Sequence, residues 1–209
     1  MNHPPLRSAW LALCSMAALA LTTPAVHAAD DAHAHHQHQQ ADKSPGYKRQ
    51  LSTYRIPELN LVRADGSSAQ FNRDIDDGRP VVLNFMFTTC TAVCPLLSQT
   101  AAEFRRQLGP EAAGVHFVSV SIDPEQDTPE RLTAYAAQFG ADKAWSYYTG
   151  SVAASVKLQK AFQAYFGDKM HHRPMTFMRS APGAPWVRLE GFATPADLLT
   201  EYRRLVAAP

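Results

Sequence analysis

Cys90 and Cys94 are the residues of this chain whose type and spacing most directly suggest chemistry. They lie in the stretch VVLNFMFTTCTAVCPLL, Val81 to Leu97, with Pro95 directly behind the second cysteine. Residues four apart share a helix face, and the spacing lets both sulfurs converge although Cys90 precedes the helix proper. A sulfur at a helix N-terminus sits at the positive end of the dipole, which favours thiolate over thiol. Two convergent thiolates suit a redox disulfide, half of a zinc site, or Cu(I). Structural zinc takes four cysteine or histidine ligands, typically from paired knuckles, and this chain has a single pair. A mononuclear copper site needs only one histidine more. His171 and His172, in MHHRPMTFM, are the candidates, set against the alternative of an exposed histidine pair with no role.

The elements around the dithiol follow from hydrophobic patterning. Val81 to Phe87 is an apolar, β-favouring run of strand length, and Leu96, Leu97, Ala101, Phe104 and Leu108 recur at helical spacing to about Gly109. Pro95 suits the first turn of that helix. Val115 to Ile122 predicts a second core strand, on which His116 is expected to be structural. Asp123 to Pro129 is a polar loop, and Thr128 with Pro129 starts a helix through Phe139. Trp145 to Thr149 predicts a strand, Ser151 caps a helix to about Phe166, and MTFM enters another strand. Val187 to Phe192 returns as its hairpin partner, and Thr194-Pro195 starts a last helix ending near Val206. Upstream, Leu59 to Val62 and Ala69 to Phe71 flank an Asp65-Gly66 turn. The resulting β-α-β-α-β-α-β-β-α order implies an α/β sandwich with a mixed sheet and a closing antiparallel hairpin.

Composition bounds the context. The chain has 209 residues and a formal net charge of +1, and it carries neither a nucleic-acid footprint nor a glycine-rich phosphate loop. Residues 1–28 read as a secretory signal peptide: Arg7, an apolar run from Ala9 to Leu21, and small residues at Val26 and Ala28 before cleavage. An uncleaved anchor is the alternative, but the run is shorter than the ~20 residues a spanning helix needs. Leu13 is too large to precede a lipidated Cys14. The mature chain is therefore expected in the periplasm with only Cys90 and Cys94, where the pair tends to a disulfide unless reduced. Residues 29–50 are expected to be a disordered linker. His33, His35, His36 and His38 within it either capture metal or form a solvated tether. The folded domain is expected over 51–209.

TTCTAVCP after a strand, VSVSIDPEQDTPERLTAYAAQFG, WSYYTG and HHRPMTFM, in that order, together resemble the SCO/SenC family from about Ile56 to Tyr202. The resemblance implies a thioredoxin-like three-layer sandwich. It also implies copper, as Cu(I) or Cu(II), bound by the two cysteines of a CxxxCP motif and one distant histidine. Such proteins mature the dinuclear copper centre of cytochrome c oxidase. Cys90 and Cys94 match the cysteines, and Asp123-Pro124 match the acidic loop after the second core strand. Aligning MTFM with the family's strand, with Pro174 as the cis-proline opposing the dithiol, selects His172 over His171 as the ligand. The chain departs from the family in HHRP where DHT or DHS is usual, in CTAVCP where CPDVCP is commoner, and in a cleavable signal where a membrane anchor is common. The implied function is an exported copper metallochaperone. The alternative is a thiol–disulfide oxidoreductase with Cys90 attacking and Cys94 resolving, so that the cysteines would be a catalytic redox pair. Implied partners are the copper-site subunit of the oxidase, a periplasmic thiol reductant and another copper chaperone. Met170 and Met175 are expected to fill gaps rather than bind metal.

Overall fold

The computed structural model describes residues 46–207; the signal segment and the histidine tract inferred from sequence lie outside the described residues. In chain order the elements are β1 (Tyr47–Ser52), β2 (Asn60–Arg63), β3 (Ser68–Gln70), α1 (Phe71–Asp74), β4 (Val81–Met86), α2 (Val93–Leu108), β5 (His116–Ser121), α3 (Pro129–Gln138), β6 (Trp145–Thr149), α4 (Val152–Ala161), β7 (Met175–Arg179), β8 (Trp186–Gly191) and α5 (Pro195–Ala207). The strands form one mixed sheet in the order β1-β8-β7-β4-β5-β6-β2-β3. β4, β5 and β6 are parallel, joined by helical crossovers, while β7 and β8 form an antiparallel hairpin against β4. This is the α/β, thioredoxin-like arrangement that the residue patterning and the family resemblance lead one to expect. Among the described residues no helix is long and apolar enough to cross a membrane.

The central strand is buried on both faces, and its period of two divides its side chains between two cores. Val82 and Met86 join Phe104, Leu108, Phe117, Trp145 and Tyr202 beneath α2 and α5. Val81, Leu83 and Phe85 join Phe71, Leu158, Phe162, Phe177 and Trp186 on the side of α1 and α4. Phe162 centres the second core, its ring 5.0 Å from Phe177 and 5.1 Å from Trp186 in edge-on contacts. Sheet and helices thus form three layers, and the loop after β4 emerges at the C-terminal edge of the parallel strands. Ligands commonly sit at that edge in open α/β sheets.

Two boundaries differ from the sequence reading. Residues 47–50, assigned there to the linker, belong to β1, which pairs antiparallel with β8 from Tyr47–Gly191 to Ser52–Trp186. β1 is an edge strand whose side chains are mostly exposed, so YKRQLS carries no apolar alternation to reveal it. Backbone pairing holds it, together with the buried Glu201 carboxylate, which accepts from Arg49 Nε at 2.7 Å and Tyr47 Oη at 3.1 Å. Gly191 permits the close approach: its φ is +121°, and a Cβ there would lie 2.4 Å from the Gly46 carbonyl oxygen. α4 stops at Ala161 rather than near Phe166, because Gln163 takes a left-handed φ of 54° and ends the helical ladder.

Candidate metal centre

The dithiol turn is built from the end of β4 outward. Thr88 leaves the strand and is tied to Asp127 of the polar loop after β5. Its N–H donates to Oδ1 at 3.1 Å and its hydroxyl donates to the same oxygen at 2.5 Å. The Cys90 N–H then donates to the Phe87 carbonyl at 3.2 Å, folding the chain back before α2 begins at Val93. Helix N-termini leave backbone N–H groups without intrahelical partners, and here the Cys94 N–H donates to Cys90 Sγ at 3.3 Å. Both cysteines are free thiols, Cys90 half-buried and Cys94 fully buried.

These positions give the two sulfurs opposite acidities. Burial pushes the Cys90 thiol up, but the backbone N–H groups of Cys94, Ala92 and Val93 outweigh it, and its pKa falls below the usual thiol value. Burial pushes the Cys94 thiol far up, and the neighbouring Cys90 adds to the rise. Cys90 is therefore the more accessible and more acidic of the two thiols, and Cys94 the protected one.

The histidine turn comes from the opposite side of the loop cluster. Asp168 caps a short 3₁₀ turn, Lys169–His171, by accepting from the Met170 N–H at 2.8 Å. Lys169 Nζ meets Asp123 Oδ2 at 2.5 Å, and the Asp123 N–H donates to Ser121 Oγ at 3.0 Å. The Ser121 hydroxyl in turn donates to Asp127 Oδ2 at 2.5 Å. Lys169, Asp123, Ser121, Asp127 and Thr88 thus form an unbroken polar chain from the histidine turn to the dithiol turn. It orients both turns, and its end member Lys169 also accepts the His172 N–H on its carbonyl at 3.1 Å.

Between the turns lies a cavity of about 150 Å³ whose walls include Phe87, Cys90, Val93, Lys169, Met170 and His172. His172 Nε2 is buried without a hydrogen-bond partner. Burial lowers the pKa of this imidazole against a smaller opposing effect of the Phe85 backbone, which favours the neutral, ligating form. His171 is exposed and not part of the cavity wall. Cys90 thus adjoins both Cys94 and the cavity shared with His172. No three histidine, cysteine or acidic side chains among the described residues stand close enough to hold an ion as they are. The donors nevertheless fit a soft cation: two thiols, one of low pKa, and a neutral imidazole whose buried nitrogen lacks a partner.

His116 has the structural role expected for it, buried on β5 with Nε2 3.1 Å from Ser146 Oγ. Met175 is likewise a core residue, at 1% exposure, whereas Met170 is 73% exposed at the cavity rim and fills no gap. The sequence reading missed Asp127, Ser121, Thr88 and Lys169. Of these only Asp127 had a signal, the acidic loop DPEQDTP, and the structure places it at 0% exposure.

Comparison with known proteins gives the family and the fold. Residues 54–207 match the SCO1/SenC family model. A protein of Stutzerimonas stutzeri named for copper binding is 33% identical over 114 residues, which is 51% of this chain and 50% of that protein. The chain spans about half the length of the curated relatives it matches. The SCO1/SenC family lipoprotein of Bacillus anthracis str. Ames superposes with a TM-score of 0.65 at 26% identity, covering 75% of this chain and 97% of that one. Bradyrhizobium japonicum ScoI with copper bound superposes with a TM-score of 0.59 at 22% identity, covering 72% and 99%. With the family model covering the whole of the sheet from β2 to α5, this chain belongs to the SCO1/SenC family.

Proposed function

We propose that this protein is an exported copper carrier that takes Cu(I) on Cys90, Cys94 and His172 and delivers it during maturation of the copper centre of cytochrome c oxidase. One observation carries the reading: Cys90, whose thiol pKa is lowered, and His172, whose Nε2 is buried without a hydrogen-bond partner, line the same small cavity. A polar nitrogen left unpaired in a folded interior is costly unless something else satisfies it. Copper bound by the S. stutzeri protein's name and in B. japonicum ScoI supports copper as the cargo. Loading needs both sulfurs reduced, so redox state gates capture, and the open side of Cys90 permits release by ligand exchange. The periplasm is the proposed site of action. The oxidase copper-site subunit is the proposed recipient, a thiol reductant keeps the dithiol ready, and another copper chaperone is the proposed donor.

The test is an anaerobic Cu(I) titration of the reduced full-length protein against a competing chelator, beside its His172→Ala and His171→Ala forms. One tight equivalent, weakened by His172→Ala and unaffected by His171→Ala, is expected. Equal, weak binding in all three overturns the reading.

A second reading, thiol–disulfide exchange on the oxidase copper site or other exported clients, is favoured by the opposite acidities of the two sulfurs. Cys90 would attack a client disulfide as thiolate, and Cys94 would then displace the client's thiolate. Exchange needs no imidazole, so it survives His172→Ala while copper carriage does not.

A further inference from the structure

The described methionines divide sharply: Met86, Met175 and Met178 are buried at 1% exposure or less, while Met170 stands 73% exposed. An exposed thioether is not unusual by itself. This one, however, belongs to the wall of the cavity that Cys90 and His172 share. Its backbone is held on both sides. Asp168 accepts its N–H at 2.8 Å, and the preceding Lys169 is pinned to Asp123 at 2.5 Å. The His172 N–H closes the turn onto the Lys169 carbonyl at 3.1 Å. The turn therefore fixes where the side chain starts, while the flexible side chain itself reaches into water at the cavity mouth.

The chemistry of the three sulfurs differs in a way that matters for loading. Thioether and thiolate both select Cu(I) over harder cations. A thioether needs no deprotonation and does not enter disulfides, so it is ready whatever the state of the dithiol. It is neutral and binds more weakly than a thiolate, as a transient ligand must. Cys94 is fully buried and Cys90 half so, which leaves Met170 the most exposed soft donor of the site.

We propose that Met170 is the entry ligand of the site, taking Cu(I) at the cavity mouth and passing it inward to Cys90. This rests on the copper-carrier reading. Copper remains Cu(I) throughout: the Met170 S–Cu bond breaks as the Cys90 S–Cu bond forms, and any proton still on the thiol leaves to solvent. The thioether is then free again, outside the final ligand set.

The experiment compares reduced full-length protein with Met170→Leu, which keeps size and apolarity but removes the sulfur, and with Met175→Leu as control. Stopped-flow transfer of Cu(I) from a chelator complex should slow several-fold in Met170→Leu, with the equilibrium affinity unchanged within about twofold because the final thiolate ligands remain. In the Cys90→Ser/Cys94→Ser protein, the Met170 methyl resonance should move when Cu(I) is added anaerobically, and the Met175 methyl should not. Equal loading rates, an unmoved Met170 methyl, or a parallel loss of equilibrium affinity in Met170→Leu each overturns the entry role. If the unsubstituted reduced protein takes up no Cu(I), the carrier reading falls. If it loads one equivalent and Met170→Leu loads identically, only the entry role falls.

Discussion

Asp127→Ala should both destabilise the fold and loosen the dithiol turn. Asp127 is at 0% exposure and accepts from three donors: the Thr88 N–H, the Thr88 hydroxyl and the Ser121 hydroxyl. A net contribution of about 0.5–1.5 kcal/mol per bond gives about 2–4 kcal/mol lost, with the abandoned donors still buried. With a urea slope of about 2 kcal/mol per molar, the middle of the usual range for small domains, the midpoint should fall by about 1–2 M. Asp127→Asn keeps a carbonyl oxygen for Thr88 and loses only the acceptor for Ser121, so it should cost about 1 kcal/mol. The local consequence separates positioning from general stability. Thr88 lies two residues before Cys90, and releasing it should make the buried Cys94 alkylate measurably under conditions where the protein is still folded. An Asp127→Ala protein with an unchanged urea midpoint, or with Cys94 as unreactive as before, would refute the role assigned to the polar chain.

Two further outcomes follow from the same geometry. In the reduced protein the alkylation rate of Cys90 should rise with pH through a midpoint below that of the same cysteine in the unfolded chain, because its folded pKa is lowered. Cys94, whose pKa is raised, should stay unlabelled across that range; peptide mass spectrometry after timed quenching reads both. Linkage then gives the two sulfurs opposite signs. Cys90 adds stability as pH rises through its lowered folded pKa towards the unfolded value, and Cys94 adds stability that is complete below the unfolded value and fades as pH approaches its raised folded pKa. Separately, Gly191→Ala should cost roughly 1–3 kcal/mol, because it strains a φ of +121° and drives a Cβ into the Gly46 carbonyl. Amide hydrogen exchange should then accelerate selectively over residues 47–52, and unchanged protection there would count against the close-approach argument.

Much of this protein is written locally in its chain. The run from Val81 to Met86, the helical recurrence after Cys94 and the Thr128-Pro129 start of α3 each sit where the residue patterning puts them. The reason is that periodicity, capping and proline geometry act over a single turn or strand. The same locality set the dithiol at a helix N-terminus, where Cys90 gains its backbone donors. Motif order then led to the family.

What remained for the tertiary structure depends on contacts that no local window contains. β1 exists through pairing with β8, far along the chain, and exposes the side chains that would have advertised it. Asp127 became a hub only by meeting Thr88, 39 residues earlier, and Lys169 joined the site through Asp123, 46 residues away. Likewise His171 and His172 are equivalent in composition, and only the packing around β4 buries one nitrogen and leaves its neighbour in water. Burial and charge pairing are properties of the assembled fold, and so the raised pKa of Cys94 and the burial of the His172 nitrogen were decided there.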